Sequence, residues 1–545
     1  MMKVLISALL FSCLGMPLYS WQSSEKDQWD QQGLSEDYHG HVDDRTEAPY
    51  KQIQLLGIND FHGQLNVTRQ VNDRPAGRAD FLAAYLRRRS AENENTILLH
   101  VGDMIGASPP VSALLQDEPT IEFLNKMGFD IGTIGNHEFD RGSDELLHLL
   151  SGGSPSAAKN YSGTRFPWVA ANVISQKSDK PILPPYKILN VSGIPIGFIG
   201  VIMKDTPAIS APNSVKGLIF ADEVETINKY ARVLKKQGVR AMVVLAHVPG
   251  KSKPNGEQAR GQLIDLAHKA DDEVDIIFGG HSHAYLNSVV DGKLLVQAYS
   301  YGTAFSDVDI EIDPRTKDIV RKHAEIVNVF QEDIQPADDI TKLIKRYEKK
   351  VEPIVNIYIG TAAIPITAER NKSGESALGN LIADSQRAAM ATDFAFINPG
   401  GIRADIDAGR ITWGNLYVIL PFSNQLVKLN LSGSQIREIL NQQWQPNTTR
   451  ILQISGFAYS WDDRQPAGEK IKEIYLPYGT KLDPNKNYSV AVNTYLADGG
   501  DNFAAFRKGT DRVTGPSDID ALVNYIRNSP QPFSSVINGR IKKID

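Results

Sequence analysis

Between residues 51 and about 328 the chain repeats one pattern: a short apolar run rich in β-branched residues, a turn, and an amphipathic stretch of helical period. The runs are QIQLLGI (52–58), TILLHV (96–101), IGFIGVI (196–202), AMVVLA (241–246), VDIIFG (274–279) and KLLVQAY (293–299). Runs this short and this evenly apolar read as buried strands. Between them RADFLAAYLRRRSAE and ADEVETINKYARVLKKQG read as helices, the second closed by a C-terminal glycine. Strands alternating with helices define a layered α/β fold.

A chain of 545 residues holds more than one such unit. After the strand-like EIVNVF ending at Phe330, DDITKLIKRYEKKVEPIV (338–355) is charged and helical in pattern, and Pro353 should stop it. It is read as a connecting helix; with no glycine inside it, any hinge belongs at its ends. A second α/β unit follows, with strands DFAFI, QLVKLNL and YSVAVN and helices ESALGNLIADSQRAAM and SGSQIREIL. The expected organisation is a signal peptide (1–20), an acidic linker (21–50), a first domain (51–335), the connecting helix (336–356) and a C-terminal domain (357–545).

With 41% apolar and 22% charged residues the composition is that of a globular protein. Residues 22–50 hold two bases against eight acids, which accounts for the whole net charge of −6, and the body of the chain is nearly neutral. A body without basic excess argues against a nucleic-acid or anionic-membrane binder, which needs clustered Lys and Arg. The opening MMKVLISALLFSCLGMPLYS reads as a secretory signal; its apolar stretch falls short of the ~20 residues that span a bilayer, as does every later one. The chain is therefore expected to be exported, periplasmic or secreted. The single cysteine, Cys13, falls inside this signal, in a Leu-Phe-Ser-Cys context that weakly resembles a lipoprotein cleavage site. His39 and His41, with Asp43 and Asp44, read as solvated linker residues.

All eleven histidines lie at or before His323, so histidine-based metal chemistry would belong to the first domain alone. Five polar clusters follow apolar runs, where catalytic loops of α/β folds collect. They are Asn59-Asp60-Phe61-His62, Gly102-Asp103, Gly135-Asn136-His137-Glu138-Phe139-Asp140, His247, and Gly279-Gly280-His281-Ser282-His283. On an extended strand end Asp60 and His62 would share one side, as would His281 and His283. Carboxylates, imidazoles and one amide, with no thiolate, suit zinc, manganese, iron or cobalt. Singly, each cluster is an ordinary turn; His100, His148, His268 and His323 read as core or surface residues.

In this order the five clusters resemble the calcineurin-like metallophosphoesterase superfamily, which implies a layered β-sheet sandwich flanked by helices and two divalent metal ions of the Zn, Mn or Co class. Asp60, His62 and His283 would hold one ion and Asn136, His247 and His281 the other, with Asp103 between them. Paired cations lower the pKa of a shared water and clamp phosphate oxygens. His137 would face the substrate as acid or electrostatic catalyst, with Asp140 fixing its tautomer.

The second unit narrows the resemblance to the exported 5′-nucleotidase and UDP-sugar hydrolase family. The matching motifs are Glu375-Ser376-Ala377-Leu378-Gly379-Asn380-Leu381, Asn398-Pro399-Gly400-Gly401-Ile402-Arg403, Leu420-Pro421-Phe422 and Asn493-Thr494-Tyr495-Leu496-Ala497-Asp498-Gly499-Gly500-Asp501. Phe422 and Tyr495 suit a base sandwich, Asp501 suits ribose hydroxyls, and Arg403 suits a bidentate phosphate contact. By resemblance Asn172, Asn398, Gly401 and Lys372, with Arg370 nearby, join the substrate site. The chain departs from the family at His283, where relatives carry Gln or Asn, and at Tyr495, where Phe is common. The resemblance implies a 5′-nucleotidase acting on a small-molecule nucleotide. The alternatives are a 2′,3′-cyclic nucleotide phosphodiesterase with 3′-nucleotidase activity and, from another class, an inactive nucleotide-binding or surface protein.

Overall fold

The strands of the first half, in chain order, begin with β1 (Lys51–Ile58), β2 (Thr96–Val101), β3 (Ile131–Thr133), β4 (Trp168–Val169), β5 (Tyr186–Val191) and β6 (Ile194–Ile202). They continue with β7 (Ala241–His247), β8 (Ile276–Phe278), β9 (Tyr285–Val290), β10 (Lys293–Ala298), β11 (Ala304–Ile312) and β12 (Ile319–Asn328). These ranges come from a computed structural model that describes residues 50–152, 161–211, 213–422, 424–446 and 448–544. The expected signal peptide, nearly all of the acidic linker, Cys13, His39 and His41 lie outside the described residues.

Two six-stranded sheets form, ordered β12-β11-β1-β2-β3-β4 and β9-β10-β8-β7-β6-β5. Their facing sides share one core, with Ile53, Leu55, Leu99 and Val101 from the first and Phe198, Val243, Leu245 and Phe278 from the second. The outer side of the first sheet, with Leu56 and Ile58, is covered by α1 (Ala79–Ser90), whose Leu82 and Leu86 are buried. The outer side of the second sheet is covered by α2 (Glu223–Lys236) through Ile227, Ala231 and Leu234. Consecutive residues of each strand thus enter different cores, which is why the runs are evenly apolar rather than alternating. Asp222 caps α2, accepting from the N–H groups of Val224 and Glu225.

The helix α3 (Asp338–Val355) runs two residues past Pro353, which therefore does not stop it. Pro353 sits in the last turn, where the lost N–H costs one bond rather than the helix. Ile340, Leu343, Ile344 and Tyr347 pack into the outer core of the first sheet, and Arg87 pairs with Asp339 at 2.6 Å. The connecting helix is thus docked on the first half through Ile340 to Tyr347, and it also packs against the second-half helix Trp413–Ile419. In the second half β13 (Phe394–Ile397), β14 (Gln425–Ser432), β15 (Gln453–Ser455), β16 (Asn487–Asn493) and β17 (Thr510–Ser517) form a sheet ordered β15-β13-β16-β14-β17. One face buries Phe394, Phe396, Leu429 and Val490, and α4 (Ala377–Met390) lies on the other core through Leu378, Leu381 and Ile382.

His100, near the end of β2, is fully buried, 4.2 Å from the Trp168 ring centroid and beside Phe129 and Phe166. Neither ring nitrogen makes a hydrogen bond among the described residues, and burial pushes the imidazole down to about 3. The folded chain keeps it neutral while the unfolded chain protonates below about 6.5, so stability falls as pH drops through that value. The expected loss between pH 8 and pH 5 is about 2 kcal/mol, and His100→Leu should remove it. Urea denaturation at both pH values is the check; an unchanged pH slope in the variant sinks the assignment.

Candidate active site

Strands β1, β2 and β3 run parallel in one sheet and β6, β7 and β8 in the other, so their C-terminal ends gather along one edge of the sandwich. All five polar clusters lie at that edge. The Asp60–His62 pair does not share a side through extended backbone, as the spacing suggested. Asp60, His62, Asp103, His281 and His283 all have positive φ, between 48° and 72°. The strands have ended, and left-handed residues turn each side chain inward, a strained conformation that concentrates at functional sites. Neighbouring glycines allow the approach: a Cβ on Gly102 would lie 2.4 Å from Gly135 N, and one on Gly135 2.2 Å from Asp103 Oδ1.

The seven proposed ligands converge. Three sets of donors have their ligand atoms within 4.8 Å of one another: Asp60, His62 and His283; Asp103, His247 and His281; and His62, Asp103 and His137. Asp103 belongs to two sets. His62 Nε2 is 3.2 Å from His283 Nε2, and Asn136 Oδ1 is 2.8 Å from His281 Nδ1. His247 Nε2 is 3.2 Å from Asp103 Oδ2, an ion-pair contact, yet makes no hydrogen bond of good geometry among the described residues. The other nitrogens are anchored, His62 Nδ1 at 2.9 Å from Gly106 O and His247 Nδ1 at 2.8 Å from Val101 O, which leaves Nε2 of each facing the cluster.

Burial alone would raise the Asp103 carboxyl, but His247, His137 and His62 outweigh it and hold it well below the usual carboxylate range. Burial opposes protonation of His247, and the Asp103 charge overcomes that, lifting the imidazole to about 10. His62 and His281 are pushed the other way by burial, His281 down to about 4. Imidazoles turned toward a shared carboxylate, with an unbonded buried nitrogen among them, fit divalent cations, which displace protons from such donors.

His137 N donates to Asp103 Oδ1 at 2.8 Å, and its Nδ1 lies 3.0 Å from Asp140 Oδ2. Burial would lower this imidazole, but Asp140 and Asp103 outweigh it and raise it above its ordinary value. Its ring stacks on Phe422, with centroids 5.8 Å apart and 20° between planes. One cavity of about 660 Å³ takes in Asn136, His137, Asp140 and His281 together with Asn398, Gly401, Arg403, Phe422, Tyr495 and Asp501. Arg403 Nη2 donates to the Tyr301 hydroxyl at 3.4 Å, and its positive charge acts on both His62 and His137. Asp501 accepts from Asn398 Nδ2 and the Tyr495 hydroxyl, each at 3.0 Å, and pairs with Arg450 Nε at 3.2 Å.

Two expected substrate residues do not reach this cavity. Asn172 is fully buried, its amide donating to Ile202 O and Ala221 O and accepting from Ile202 N, so it braces backbone. Lys372 and Arg370 line a separate cavity with Trp461 and Thr449. The second-half guanidinium beside Arg403 in the cavity is instead Arg450, in a stretch with no motif around it. Glu138, named in its cluster without a role, accepts from the N–H groups of Gly135 at 2.6 Å and of Asp103 and Met104 at 2.8 Å, tying two ligand loops together. Tyr301, whose ring lies 5.0 Å from that of His283, follows KLLVQAY, a run whose end held no recognised cluster.

The calcineurin-like phosphoesterase family model matches residues 53–285, and that of the 5′-nucleotidase C-terminal domain matches residues 358–508. The chain is 43% identical over 510 residues to "Endonuclease YhcR" of Bacillus subtilis, covering 91% of this chain but only 42% of that protein. It is 36% identical to "Cell wall protein Lmo0130" of Listeria monocytogenes, over 87% of this chain and 67% of the relative. The crystal structure of a 5′-nucleotidase precursor from Thermus thermophilus superposes with a TM-score of 0.78 at 28% identity, covering 91% of this chain and all of that one. No helix among the described residues is long and apolar enough to cross a membrane. Matched in order along one chain, the two models make it a member of the 5′-nucleotidase family of metal-dependent phosphoester hydrolases, a calcineurin-like phosphoesterase domain followed by a 5′-nucleotidase C-terminal domain.

Proposed function

We propose that the chain, exported from the cell, hydrolyses nucleoside 5′-monophosphates to nucleoside and phosphate. The observation that carries this reading is the single cavity that joins the donor cluster to Phe422, Tyr495 and Asp501. Asp60, His62 and His283 would hold one divalent cation and Asn136, His247 and His281 a second, with Asp103 shared. Such a pair, when bound, supplies Lewis acidity toward phosphate oxygens and an activated water.

The chain's own groups do the rest. Arg403 neutralises phosphate charge beside His62 and His137. His137, held by Asp140 and disposed to be protonated, delivers its proton to the departing 5′ oxygen. Phe422 and Tyr495 take the base, and Asp501, braced by Asn398, takes the ribose. The near-neutral body disfavours a polyanionic substrate. A second reading, phosphodiester hydrolysis, is favoured by the name of the 43% identical relative. Comparing turnover of AMP, UDP-glucose, 3′-AMP, 2′,3′-cyclic AMP and single-stranded DNA separates them. A preference for cyclic or polymeric substrates over AMP would reject the nucleotidase reading.

Phe422→Ala and Tyr495→Ala should each lower kcat/KM for AMP about 10- to 100-fold more than for p-nitrophenyl phosphate, since base stacking contributes roughly 1 to 3 kcal/mol. Steady-state kinetics on the two substrates are the check. Equal losses on both would make these aromatics structural.

A further inference from the structure

Arg450 follows a short two-stranded ribbon of the second half, in which Trp444–Gln445 pairs with Thr448–Thr449. No motif marks this stretch, yet it delivers a guanidinium to the cavity wall that carries Tyr495 and Asp501. Two contacts orient it: Nη1 donates to Gln445 Oε1 at 3.0 Å, and Nε lies 3.2 Å from Asp501 Oδ1. Gln445 Nε2 in turn donates to Asp501 O at 2.6 Å. The Thr206–Ile209 turn of the first half packs on the Gly500–Asn502 turn that holds Asp501. Guanidinium and carboxylate are thus fixed relative to each other.

One guanidinium nitrogen is left over. Nη2 makes no hydrogen bond among the described residues, and unlike the unpartnered nitrogens of His100 it is not closed off, the side chain being 25% exposed. In the planar guanidinium fork Nε–H and one Nη2–H point the same way, so Nη2 faces the side on which Nε meets Asp501. Asp501 keeps capacity of its own: Oδ1 accepts from the Tyr495 hydroxyl and faces Arg450, whereas Oδ2 accepts from Asn398 alone. A carboxylate has about four lone-pair sites, so Oδ2 retains one for a ribose hydroxyl. A hydroxyl both donates and accepts, while a carboxylate only accepts and a guanidinium only donates. Side by side, Asp501 and Arg450 Nη2 match both capacities of a ribose hydroxyl pair, which neither group matches alone. Arg450 also stands at the nucleoside end: its charge acts on Tyr495, whereas that of Arg403 acts on His62 and His137.

We propose that Arg450 donates from Nη2 to a ribose hydroxyl of the nucleotide, beside the hydroxyl contact of Asp501, and so makes the site select ribonucleoside over deoxyribonucleoside 5′-monophosphates. This rests on the nucleotidase reading above and deepens it: the sugar is read by a paired acceptor and donor rather than by Asp501 alone. A charged donor makes the stronger kind of hydrogen bond, so its loss is measurable in turnover.

The test uses the whole metal-loaded chain with AMP, 2′-deoxy-AMP, 3′-deoxy-AMP and p-nitrophenyl phosphate as substrates. The wild-type chain should prefer AMP, by about 10-fold or more in kcat/KM, to the analogue that lacks the contacted hydroxyl. Arg450→Gln and Arg450→Lys should each lower kcat/KM for AMP about 10-fold more than for that analogue, chiefly by raising KM, so that the preference collapses. The analogue on which it collapses identifies the hydroxyl. Lysine keeps a positive charge beside Asp501 but not the fork, so a wild-type preference restored in Arg450→Lys would mean that Arg450 acts only by holding Asp501, and the inference fails. Equal wild-type rates on AMP and both deoxy analogues, or equal losses on all three nucleotides in the variants, overturn it as well while the nucleotidase reading stands. A wild-type chain that does not prefer AMP to the aryl phosphate overturns that reading, and the role of Arg450 with it.

Discussion

Asp103→Asn is expected to lower phosphoester hydrolysis by about 10⁴-fold or more and to remove at least one bound cation, because a two-metal site depends on the anionic ligand its ions share. Asp103 belongs to two of the three donor sets. Its Oδ2 lies 3.2 Å from His247 Nε2 and 3.7 Å from His62 Nε2. Asparagine keeps the shape and the bond that Oδ1 accepts from His137 N, so the fold should survive while the charge goes. Metal content by mass spectrometry and AMP turnover on the same sample are the measurements. Two ions retained with near wild-type turnover would refute the ligand assignment.

His137→Asn should behave differently: both cations stay, and the rate falls on the order of 10²- to 10⁴-fold, the range for a lost general acid or electrostatic catalyst. His137 is held by Asp140 and by its own N–H to Asp103, and its ring rests on Phe422. If it protonates the leaving oxygen, the loss should be larger on AMP, whose adenosine 5′ oxygen would otherwise depart as an alkoxide, than on p-nitrophenyl phosphate, whose p-nitrophenolate leaves readily unaided. Loss of a cation in this variant would move His137 from catalyst to ligand, a possibility raised by its membership of one donor set with His62 and Asp103.

The metal cluster was legible because its residues are rare and sit in chain order directly after apolar runs. The backbone geometry of those residues was not: spacing suggested alternation along an extended strand, whereas five of them are turned inward by positive φ. Asn172 and Lys372 were carried by resemblance alone, which says nothing of which way a side chain points. Asn172 is bound to Ile202 and Ala221 backbone, and Lys372 lines a different cavity. Glu138 stood inside a quoted motif, yet its contribution became visible only with the two loops whose N–H groups it accepts.

By itself the sequence determined the layered α/β class, the type of metal-binding groups and their place at strand ends. Those follow from local hydrophobic period and from side-chain chemistry, which every residue carries wherever it lies. Only the tertiary structure decided that Asp103 stands among donors from both sheets, that Arg450 rather than Lys372 enters the cavity, and that the Thr206–Ile209 turn closes against Asp501. Such contacts join residues far apart in the chain, and their geometry comes from how separate sheets and the loops at their ends pack, which no local pattern encodes.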